Sequence, residues 1–112
     1  KKATGKKLPM GVIIGRTEFV EAHPDAVNAF LDQYAASAEY VNANPAEAAV
    51  LSEKFDLIKA AVAEKAIPYC NITCMEGAEM KAAMQVYLGV LYEKNPDSVG
   101  GALPDDAFYY EK

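Results

Sequence analysis

The stretch that decides the fold is Leu8-Pro9-Met10-Gly11-Val12-Ile13-Ile14-Gly15-Arg16. It is a short β-branched run bounded by proline and glycine, and that pattern predicts a strand. Val12, Ile13 and Ile14 are consecutive, so a strand here is apolar on both faces, as in a sheet covered by helices on each side. A lone strand of this kind leaves its edges unpaired and its faces bare. Something else must cover it, either further polypeptide or a second copy of the chain.

Working outward, Thr17 is expected to cap a short helical turn over Glu18 to Ala22, closed by His23-Pro24. Pro24 suits the first position of the next helix, with Asp25 favourable in its first turn. Val27, Phe30, Leu31, Tyr34, Ala38 and Val41 then recur at helical spacing and form one apolar stripe about five turns long. Asn44-Pro45-Ala46-Glu47 ends that helix and opens another. Asn44 is the expected N-cap and Glu47 the second half of a capping box, with Ala46, Ala49 and Val50 on the helix that follows.

Asp56 is expected to cap a further helix running to Lys65, with Leu57, Ile58, Ala61 and Val62 inward. Ile67-Pro68 ends it. Tyr69-Cys70-Asn71-Ile72-Thr73 is short, rich in β-formers, and could be a second strand. A last long helix is expected from Glu76 to Glu93 along Met80, Met84, Tyr87, Leu88 and Leu91. Gly89 inside it suggests a close packing contact, since glycine costs about 1 kcal/mol relative to alanine there. The tail is turn-rich, with Asn95-Pro96-Asp97, Gly100-Gly101 and Pro104-Asp105-Asp106, and it closes on Phe108-Tyr109-Tyr110.

The totals narrow the function classes. At 112 residues, just over half of them apolar, the chain has room for one small domain and enough apolar side chain to fold. Lys1, Lys2, Lys6 and Lys7 are four of the eleven basic residues, which leaves seven basic against sixteen acidic from Leu8 onward, a net of −9. An acidic body argues against nucleic acid and against anionic lipid surfaces as partners. Residues 1–7 read as disordered or boundary residues, and the apolar stretch after them lacks the cleavage site of an export signal.

Chemistry is sparse. There is no glycine-rich phosphate loop. Cys70 and Cys74 read as two partly buried free thiols; on an extended strand they stand about 13 Å apart, beyond disulfide reach, and only a helix or tight turn could bring them closer. His23, the only histidine, stands at a helix start, so neither a metal site nor a Cys/His nucleophile pair is expected. Asp105-Asp106 reads as a solvated turn. The chain is therefore expected not to be an enzyme and to need no cofactor. Tyr69-Cys70-Asn71-Ile72-Thr73-Cys74 is the stretch whose polar and aromatic groups could orient a small ligand. Tyr69, Asn71 and Thr73 are the candidates for such contacts, with Arg16 as a further candidate for an anionic group.

The order of these signals resembles a known family. Gly11-Val12-Ile13-Ile14-Gly15-Arg16, then Phe19 to Val27 around His23-Pro24, then Asn44-Pro45-Ala46-Glu47-Ala48-Ala49, and the closing Val99-Gly100-Gly101-Ala102-Leu103-Pro104-Asp105-Asp106-Ala107-Phe108-Tyr109-Tyr110 are similar to the ABC-transporter substrate-binding proteins of the nitrate/sulfonate/taurine type, which include binders of thiamine-pyrimidine precursors. The likeness runs from about Leu8 to Tyr110. It implies that residues 1–112 are a single C-terminal segment of such a protein. The fold implied is mainly α with one or two short strands, a fragment of a two-lobed α/β fold of the type II periplasmic-binding-protein kind. The function implied is that of the solute-binding component of an ABC importer, which helps form a lobe for a small organic solute or anion.

Its partners would be that solute, the remaining part of the parent chain and the ABC permease subunits. Its location would be extracytoplasmic, with the export signal in the part that precedes this segment. The alternative is a stand-alone helical interaction module that dimerises through its apolar strand and helix faces. The chain taken alone is expected to self-associate, with a homodimer of the isolated segment as one form.

Overall fold

The computed structural model describes residues 7–112, and among these the regular structure is entirely helical. The helices are α1 (Thr17–Ala22), α2 (Pro24–Ala43), α3 (Pro45–Lys54), α4 (Ala60–Ala66) and α5 (Gly77–Lys94). Single 3-10 turns occupy Ile67–Tyr69, Pro96–Val99 and Asp106–Phe108. The chain divides into two compact units, residues 17–74 and residues 7–16 with 75–112. Except for Lys7, the boundary residues expected to be disordered lie outside the described residues.

The expected fold class is overturned. A mainly α chain with one or two short strands, as a fragment of an α/β two-lobed fold, does not match a structure with no strand among the described residues. Leu8 to Arg16 carries no regular structure and leaves its apolar side chains in solvent, with Met10 88 % and Ile14 84 % exposed. β-formers become a strand only where another strand takes their backbone hydrogen bonds, and no such strand is described. At Tyr69 to Thr73 the reason is local. The Cys70 amide donates to the Ile67 carbonyl at 3.1 Å, which makes the stretch after Pro68 a tight turn. Asn71 then takes φ 52°, the left-handed region, which no strand admits.

In the unit of residues 17–74, Pro24 and Pro45 each occupy the first turn of a helix, where a missing amide hydrogen costs nothing. α3 packs on α4, and the buried positions on both helices are alanines: Ala48 and Ala49 on α3 and Ala63 on α4, with Ala38 of α2 buried as well. Small side chains let the helix backbones approach closely but bury little apolar area per residue. The side chains expected inward on α4 point outward instead; Leu57 is 77 % and Val62 52 % exposed. Asn44 does not close a capping box. Asn44 is at once the last cap of α2 and the N-cap residue of α3: its carbonyl accepts the Ala48 amide hydrogen at 3.0 Å, but its side chain turns back, its amide and Nδ2 both donating to the Tyr40 carbonyl at 2.8 and 3.1 Å.

The start of α4 also differs from expectation. Asp56 does not cap it, and the helix begins four residues later. The Asp56 amide donates to the Glu53 carbonyl at 3.0 Å and the Leu57 amide to the Ser52 carbonyl at 2.9 Å, with Asp56 at φ 55°. This is the Schellman arrangement, in which a left-handed residue just past a helix satisfies the last carbonyls. Asp56 thus ends α3. The same arrangement recurs after Pro96–Val99, with Gly100 left-handed at φ 79° and the Gly101 amide donating to the Pro96 carbonyl at 2.9 Å.

In the other unit, α5 makes contacts with Lys7 and with the tail that follows it. Lys81 pairs with Asp106 at 3.0 Å and Lys112 with Glu76 at 3.3 Å, tying the tail back along the helix. Lys7 pairs with Glu79 from the N-terminal side. Tyr109 is buried in this clasp, with the Phe108 ring edge-on to it at 5.2 Å. The expected close contact at Gly89 is absent, since a methyl group there would meet nothing within 4 Å.

Candidate functional site

Tyr69 ends the 3-10 turn Ile67–Tyr69, held there by the fixed backbone angle of Pro68. Its ring is 83 % exposed. Asn71 follows in the left-handed region, a conformation that asparagine tolerates better than most residues, and its Nδ2 donates to the Tyr69 carbonyl at 3.3 Å. This bond brings Tyr69 and Asn71 together at one turn. Thr73 lies exposed in the irregular segment that follows. That segment is fixed to the end of α2, because the Asn42 Nδ2 donates to the Ile72 carbonyl at 2.8 Å.

The three candidates from residues 69–73 therefore share a short solvent-facing stretch whose backbone is anchored at both ends. Arg16 belongs to the other unit, at the end of the extended N-terminal segment, and is exposed.

The cysteines flank the same turn. Neither forms a disulfide; the Cys70 thiol is exposed and donates to the Ala66 carbonyl at 3.3 Å, while Cys74 is half-buried. Among the described residues no group of three or more His, Cys, Asp or Glu side chains is placed to hold a metal ion. No described helix is long and apolar enough to cross a membrane.

A second constellation, which the sequence reading missed, lies where α3 turns into α4. One Glu53 oxygen accepts the Ala60 amide hydrogen at 3.0 Å, and the other accepts from the Lys59 ammonium at 3.1 Å. The amide bond first and the ammonium second hold the Glu53 carboxyl below the usual carboxylate range. Glu53, Asp56, Leu57, Ile58 and Lys59 line an open depression of about 260 Å³. Small-molecule sites occupy roughly 300–1,000 Å³ and enclose most of their ligand, so this shallow surface is not built for one. The signal in the sequence was a carboxylate seven residues before the true helix start, a span that fits no local capping pattern.

At the other end of the chain, burial pushes the Tyr109 phenol above its ordinary value, the charge of Lys81 opposes that rise and the carboxylate of Asp106 adds to it. Asp105 is a capping residue, its carboxylate accepting the Ala107 amide hydrogen at 3.1 Å. Asp106 is committed to Lys81, so the paired acids of the tail have two structural tasks. No family model, no curated protein and no solved structure matches the chain.

Proposed function

We propose that the chain is a helical part of the solute-binding component of an ABC importer, working together with further polypeptide that covers its apolar surfaces. The observation that carries the need for a cover is exposure. Twenty large apolar or aromatic side chains are exposed among the described residues, and no large side chain is fully buried. Burying one Leu, Ile or Phe stabilises a protein by about 1.5–3 kcal/mol, so most of what these residues could contribute is unrealised in the chain taken alone. The sequence likeness supplies the kind of assembly. His23-Pro24 and Asn44-Pro45, two of its motifs, stand where α2 and α3 begin.

In this reading the component is extracytoplasmic, its ligand is a small organic solute or anion, and it delivers that ligand to the permease without making or breaking a bond. Tyr69, Asn71 and Thr73 are the ligand contacts that the unit of residues 17–74 would contribute. The coding sequence around the chain tests the reading. The expected result is a frame that continues upstream into further binding-component polypeptide with an export signal, beside genes for a permease and an ATP-hydrolysing subunit. A frame that opens immediately before Lys1, with no transporter genes nearby, would overturn it.

The second reading, a helical module that dimerises, is favoured by the bare run Val12-Ile13-Ile14, exposed at 63, 51 and 84 %. Sedimentation across a wide concentration range tests the need for a cover that both readings share. Association that grows with concentration is expected, and a clean monomer throughout would count against both. A stable, stoichiometric dimer from a frame that begins at Lys1 would favour the second.

A further inference from the structure

We draw no further inference here: the strongest candidate, the exposed apolar surface of the α3–α4 turn around Phe55, Leu57 and Ile58, carries nothing, because the neighbouring charges of Glu53, Lys54, Asp56 and Lys59 cancel and nothing in the structure shows what covers it.

Discussion

The carboxylate of Glu53, in the last turn of α3, accepts the amide hydrogen of Ala60, the first residue of α4, at 3.0 Å. One side chain thus satisfies an otherwise unpartnered donor at the start of α4 while its second oxygen holds Lys59. A negative charge at a helix N-terminus is favourable in itself. Glu53→Gln keeps the shape and removes the charge. It is expected to speed hydrogen exchange at the Ala60 amide and to loosen α4, measured by exchange and by helical circular dichroism.

The same contact sets a pH dependence. The folded carboxyl ionises below its ordinary value of 4.5, so the folded chain binds fewer protons than the unfolded one in that window. The stabilisation is complete above pH 4.5 and is lost as the pH falls through the lower folded value. Acid unfolding of Glu53→Gln is expected to lack this component, and an unchanged acid limb would show that the contact contributes nothing.

Two backbone positions are suboptimal and can be improved. Asp56 occupies a left-handed position that glycine adopts without strain, so Asp56→Gly is expected to stabilise by up to about 1 kcal/mol. Gly89 stands within α5 with open space where a methyl group would go, so Gly89→Ala is expected to gain about 1 kcal/mol. Denaturant titration of each variant measures the change. A loss at Gly89 would mean that a partner approaches the helix there.

The alanine seam between α3 and α4 responds in the opposite sense to added volume. Ala49 is 1 % exposed, and Ala49→Leu forces the helices apart at an expected cost of about 1–3 kcal/mol. Val50→Ala, one residue along the helix but 62 % exposed, is expected to change stability by less than about 0.5 kcal/mol. Thermal unfolding of the pair of variants distinguishes a packed seam from a loose one.

Tyr109 gives an alkaline counterpart to Glu53. Its folded phenol titrates above the ordinary value of 10.0, chiefly because it is buried. The stability tied to it is fully present below pH 10 and is lost as the pH rises through the higher folded value. Following phenolate absorbance, Tyr109 is expected to ionise late among the seven tyrosines, and Tyr109→Phe is expected to remove that late component.

Helices were more legible in the sequence than anything else, because prolines and apolar spacing act locally. The expected helix from Pro24 matches α2, which runs Pro24–Ala43, and the one expected from Glu76 to Glu93 agrees with α5 to within a residue at each end. Sequence and structure part where one residue type serves two geometries. Asp56 reads equally well as the start of one helix or the left-handed end of another, and only the backbone bonds of Ser52 and Glu53 separate these.

The strands failed for a different reason. Val12, Ile13 and Ile14 have the composition of a strand, but pairing is a property of two segments, and the described residues offer no second one. At the candidate site, the turn that joins Tyr69 to Asn71 was not foreseen. Pro68 reads as a stop signal, although it also favours the tight helical turn around it.

The bare run Val12-Ile13-Ile14 is also flanked by residues that oppose open-ended stacking. Six or seven consecutive residues of high β-propensity and low charge are enough to seed a fibril. Here Gly11 and Gly15 cut the β-branched stretch to three residues, Pro9 removes a backbone donor, and Lys7 and Arg16 set a positive charge at either side. These are gatekeepers of the kind that flank unavoidable sticky segments. They leave the run free to engage one partner while denying it the uninterrupted length that open-ended stacking requires.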